Sequence, residues 1–140
     1  MNLSVRKGDQ DGGKLRVIEL CKNLVSYTYD RVHDKTLPKS DRWLMAKSIW
    51  YETSSASSKI KRANKIRVSN ADEARQRILL EKEAIGHLDE LSFLIDVLHM
   101  KGKISDDRAD YWGGLCNDTQ IAAMGWLKSN AREYKDLLKD

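Results

Sequence analysis

Nine residues near the middle of the chain, Lys59-Ile60-Lys61-Arg62-Ala63-Asn64-Lys65-Ile66-Arg67, hold five cations and no acid. Lys61 and Lys65 are four apart, a spacing at which like charges on a helix repel by roughly 0.2–0.5 kcal/mol. An anionic partner relieves that repulsion, and phosphate is the obvious chemistry. Nothing in the run is suited to reading bases, so the contact it offers is to nucleic-acid backbone or shape. The plain alternative is a solvated helix end whose cations complement the C-terminal dipole. Upstream, cations and aromatics interleave at Arg42-Trp43 and from Lys47 to Trp50-Tyr51, with Lys39 just before them. Base stacking requires that mixture; tryptophans filling a core or a subunit contact are the plainer account of it.

Other chemistries find less support. Two Asp-x-x-His pairs, Asp30/His33 and Asp96/His99, invite comparison with di-metal helical proteins. Such sites draw inward-facing carboxylates from all four helices, whereas Asp30 and His33 fall on a polar face and the second helix offers only Asp41 and Glu52. The chain has no Gly-x-Ser-x-Gly elbow, no phosphate-binding Gly-rich loop and no Cys/His/Asn arrangement. The expectation is a protein without catalytic activity, metal or cofactor.

The charge is strongly segregated. Residues 35–67 hold nine Lys/Arg against two Asp/Glu, while residues 68–140 hold ten against fourteen. A two-signed molecule of this kind suits a polyanion on one side. Cys21 and Cys116 form no disulfide framework, which fits a reducing cytoplasm. No secretory h-region and no apolar run of about 20 residues is present, so a soluble chain without a membrane partner is expected.

These candidate residues must be positioned by helices. One proline, one phenylalanine and abundant Leu, Ala, Lys and Glu disfavour sheet. Residues 1–13 read as a flexible tail outside the core, and residues 14–140 as one domain. A first helix is predicted over 14–35, with Ile18, Cys21, Val25, Thr28 and Val32 on its apolar face and Val17, Leu20, Leu24 and Tyr27 beside them. Pro38 ends it, and Ser40 is the expected cap of a second helix over 41–66. Apolar positions there are Trp43, Leu44, Met45, Ala46, Ile49, Trp50, Ala56, Ile60 and Ala63, around a centre of small side chains. Asn70 and Glu73 read as a capping box for a third helix over 71–101, closed by Gly102. Ser105 caps a fourth, whose stripe runs from Trp112 through Cys116, Thr119, Ala123 and Trp126 to Tyr134 and Leu137. Gly86, Gly113, Gly114 and Gly125 read as packing contacts. The sum is an all-α, up-down-up-down four-helix bundle.

Three segments carry a resemblance: Leu37-Pro38-Lys39-Ser40-Asp41-Arg42-Trp43, His87-Leu88-Asp89-Glu90-Leu91 and Gly125-Trp126-Leu127-Lys128-Ser129. Over residues 14–130 the chain resembles the four-helix proteins that include the accessory variability determinant of diversity-generating retroelements and the proteins of 23S rRNA intervening sequences. It departs from them at Met124, where a second glycine is frequent, and in its serine-rich second helix. The resemblance implies a homopentameric barrel that associates with a reverse transcriptase and its template RNA. It also implies that Lys59, Lys61, Arg62, Lys65 and Arg67 make the contact, with Arg75, Arg77 and Lys82 as a second set. The alternative it implies is a self-assembling scaffold with no polymerase partner.

Overall fold

The structure, a computed structural model, describes residues 2–139, with side chains described from Gly13 onward except that of Trp43. Four α-helices account for most of it: α1 (Asn2–His33), α2 (Lys39–Lys65), α3 (Ala71–Met100) and α4 (Asp106–Glu133). No strand occurs among the described residues. α1 begins at Asn2 rather than at residue 14; no proline interrupts the segment, and glycine costs a helix only about 1 kcal/mol. The reading of residues 1–13 as lying outside the core falls on side chains that, up to Gly12, are outside the described residues.

The helix ends follow local chemistry. Asn70 Oδ1 accepts from Glu73 N–H at 2.9 Å, while Glu73 Oε1 accepts from the backbone N–H and hydroxyl of Ser69 at 2.9 and 2.6 Å. The box therefore closes one residue before the cap. At the end of α3, Gly102 (φ 68°) allows Lys103 N–H to reach Leu98 carbonyl and Gly102 N–H to reach His99 carbonyl, the paired bonds of a Schellman motif. Ser105 Oγ caps α4 by accepting from Arg108 N–H at 3.2 Å. Ser40 does not cap α2: Pro38 occupies the cap position, its carbonyl accepts from Arg42 N–H, and Ser40 already lies in the first turn.

α1 packs against α2 and α4, and α3 packs against the same two. Early residues of each helix meet late residues of its neighbour. Glu52 bonds His87 and Lys59 pairs with Glu83 across α2–α3, Leu88 meets Cys116 across α3–α4, and Thr28 meets Trp112 across α1–α4. Neighbours are therefore antiparallel, a bundle-like arrangement around one core.

That core is a set of single stripes at helical spacing. α2 buries Ile49, Thr53, Ala56, Ile60 and Ala63; α4 buries Trp112, Cys116, Thr119, Ala123 and Trp126. α3 buries Ala84, Leu88, Leu91, Ile95 and Leu98, and α1 buries Val17, Cys21, Leu24 and Thr28. Trp112 is fully enclosed and its indole N–H donates to Thr28 Oγ1 at 3.0 Å, so its one polar atom is satisfied inside. Both thiols are buried and unpaired. Burial, then the nearby Asp89 and Asp96 carboxylates, push the Cys116 thiol up to about 12. A thiol so poor in thiolate is a packing residue and no nucleophile.

Three expectations are corrected. Leu44 is 66% exposed at the open end of α2 rather than in the core. The α4 stripe ends at buried Asn130, because the helix stops at Glu133, and Leu137 is exposed in the turns beyond. Gly86, Gly113, Gly114 and Gly125 are not close contacts within the protomer, since a Cβ added at any of them meets nothing within 4 Å. Replacing Gly113 or Gly114 with alanine should therefore stabilise the protein by roughly 0.5–1 kcal/mol each. Thermal denaturation should read this as a Tm higher by a few degrees; a lower Tm would mean that these positions face an intermolecular contact.

Candidate nucleic-acid interface

The buried stripe of α2 decides where its cations go. With Ile49, Thr53, Ala56, Ile60 and Ala63 turned inward, the 3.6-residue period sends Lys61, Arg62 and Lys65 to solvent, and all three are exposed, as is Arg67 just past the helix. Lys61 acts electrostatically on Cys21 of α1, and Arg62 on Glu83 of α3, so the charges fan across both flanks of α2. None of these four takes part in an ion pair among the described residues. Lys59 differs: it is partly covered and pairs with Glu83 at 2.8 Å, which holds that carboxyl below its usual range.

The remaining candidates separate from this group. Lys39 and Lys47 are exposed and Arg42 is half-buried, all in the first third of α2. The twenty residues between Lys39 and Lys59 correspond to roughly 30 Å along the helix axis. Arg75 is exposed at the start of α3 and pairs with Asp72 at 3.0 Å. Lys82 is exposed at the edge of an apolar groove between α3 and α4, lined also by Ile78, Met124, Leu127 and Leu138 and about 590 Å³ in volume.

Arg77 is held by the fold itself. Its guanidinium donates to the Ile66 carbonyl and to the Tyr134 hydroxyl, both at 3.3 Å, and lies 5.2 Å from the centre of the Trp126 ring. It also stands 3.8 Å from Glu81, whose side chain is fully buried. Arg77 thus ties the ends of α2, α3 and α4 together, and its donors are turned inward.

Beside the free cations, α2 and α3 enclose an open depression of about 690 Å³ lined by Tyr51, Ser54, Ser55, Ser58, Lys59, Arg62, Glu83 and His87. Tyr51 is 61% exposed and meets the His87 ring edge-on at 6.0 Å. His87 Nδ1 is hydrogen-bonded to Glu52 at 2.7 Å. Of the aromatics flagged by sequence, Trp50 packs half-buried against Tyr29, Tyr51 alone faces this depression, and the Trp43 side chain lies outside the described residues. Nothing in the sequence links the serines of α2 or His87 to the cations; they join them only once α2 and α3 are paired.

Of the Asp-x-x-His pairs, His33 bonds the Tyr29 carbonyl and His99 bonds Asp106, and no group of three metal-ligating side chains stands together among the described residues. None of the described helices is long and apolar enough to cross a membrane. Compared with known proteins, the chain matches no family model, no curated protein and no solved structure.

Burial raises the Glu81 carboxyl to about 7, against the lowering influence of Asn130, which donates to it, and of Arg77. Its second oxygen, Oε1, is buried without a partner. Because the folded value lies above the ordinary value of 4.5, the folded state holds the extra proton between the two, and stability falls as pH rises through that window. Glu81→Gln should abolish this slope: it should match the wild type near pH 4 and exceed it above pH 7 by as much as ~3 kcal/mol. Urea denaturation across pH checks this; parallel curves for the two proteins would show that folding leaves the Glu81 carboxyl at its ordinary value.

Proposed function

We propose that this chain is a non-enzymatic accessory protein of a diversity-generating retroelement, binding the reverse transcriptase and its template RNA in the cytoplasm. The observation that carries the reading is the cluster Lys61, Arg62, Lys65 and Arg67, exposed and without acid partners on a helix whose opposite face is committed to the core. A polyanion neutralises such a cluster and releases counterions as it does so. The protomer on this reading is an up-down-up-down four-helix bundle that assembles into a homopentameric barrel.

One further observation bears on assembly. Leu79, Gly86, Phe93 and Met100 recur every seven residues along the outer face of α3, and all four are exposed, Phe93 at 62% and Met100 at 82%. Apolar side chains at that spacing form a seam that other helices cover. It favours self-association and equally supports the second reading, a self-assembling scaffold of the rRNA intervening-sequence kind.

RNA affinity measured against salt separates the two. The wild type should lose affinity steeply with salt, and Lys61→Glu/Arg62→Glu/Lys65→Glu should lose both affinity and about two units of the log–log slope. The same variant should fail to co-purify with the polymerase–RNA complex. Equal RNA binding by wild type and variant would leave the scaffold reading in place.

A further inference from the structure

We infer that the α2–α3 depression is a site for single-stranded RNA, in which a base stacks on Tyr51 and the adjoining backbone runs past the serines to Arg62. The inference rests on the RNA-binding reading above and names the form of RNA and the residue that recognises it.

Three features converge here. The first is the platform. Tyr51 leaves most of its ring in water, whereas Trp50 beside it packs against Tyr29, and a base is a flat surface able to cover the tyrosine. His87 stands edge-on to the ring at 6.0 Å and fixes one side of the platform.

The second is the path. Tyr51, Ser55, Ser58, Arg62 and Lys65 are spaced four, three, four and three apart, so they lie on one face of α2. Tyr51 and Arg62 are thus separated by roughly 16 Å along the axis, a stretch that spans more than one nucleotide. On that face the side chains between them are Ser55 and Ser58, which leave room for a strand and carry hydroxyls able to donate to phosphate or ribose.

The third is the charge. Each carboxylate at the depression already has a cation or donor of its own, Glu83 from Lys59 at 2.8 Å and Glu52 from His87 at 2.7 Å. Arg62 is therefore the uncompensated charge at the site, with Lys61 and Lys65 continuing beyond it. Duplex RNA hides its base faces and would use only the cations. An acidic peptide would likewise leave the tyrosine ring without a stacking partner. A single strand uses both halves of the site.

Fluorescence anisotropy with a labelled single-stranded oligoribonucleotide and a blunt duplex of equal length tests this. Tyr51→Ala should weaken single-strand binding roughly fivefold to a hundredfold with an unchanged salt slope, and leave duplex binding as in the wild type. Tyr51→Phe, which keeps the stacking face, should bind single strands like the wild type. Unaltered thermal melting confirms that each variant is folded. If Tyr51→Ala binds single strands as well as the wild type, or loses both RNAs equally, the stacking site is wrong while the cation cluster can still stand. If the triple Glu variant also binds both RNAs like the wild type, the RNA-binding reading itself fails. Displacement of the strand by a polyglutamate peptide at equal charge concentration would overturn the inference in favour of an acidic protein partner.

Discussion

The constraint from which the surface follows is the narrowness of the buried stripe on α2. Ile49, Thr53, Ala56, Ile60 and Ala63 form a single row, and three of the five are small. The row fills little volume, so bulk must come from opposite helices, from Leu88, Leu91 and Ile95 on α3 and from Trp112 on α4. A narrow stripe also leaves most of the circumference of α2 outside. Its exposed positions include cations, serines, Tyr51 and Leu44, and helical geometry gives them no route inward.

A second requirement sits at the end of the molecule where α2 gives way to α3. The extended backbone at Ile66 leaves its carbonyl free of the helix, and Arg77 satisfies it while also reaching Tyr134 and shielding Glu81. A buried carboxylate with one orphan oxygen is costly. Its retention beside Arg77 and Asn130 gives the end of the structure three mutually dependent polar contacts, where an apolar stripe could slide by a turn. The same network removes Arg77 from any external role, so two arginines only two residues apart, Arg75 and Arg77, do different work.

Much of this was legible in the sequence where the signal is local. The Asn70 cap, the Gly102 stop and the Ser105 cap depend on residues within four or five positions of one another, and each stands as read apart from the Glu73 bond shifting to Ser69. The apolar rows of α3 and α4 were readable for the same reason, since periodicity is a property of one helix. What escaped is what pairing creates. Glu81 and Asn130 look like surface residues until each is seen to face the other across α3–α4. Arg77 looks like one more cation of a basic set until Trp126 and Tyr134 are beside it. Gly86, Gly113, Gly114 and Gly125 do not mark packing contacts, because a missing side chain implies close approach only when a neighbour is there, and none is among the described residues. The depression beside Tyr51 was half-visible, as aromatics among cations, but its far wall belongs to another helix.

On the proposed reading, RNA lies along the outward face of α2. Ultraviolet cross-linking of the native protein to bound RNA, with the attachment sites mapped by peptide mass spectrometry, addresses it without any substitution. Cross-links at Tyr51 and within residues 58–67, with none on the α3–α4 groove around Met124, are the predicted result. Cross-links confined to that groove, or none anywhere in α2, would contradict it.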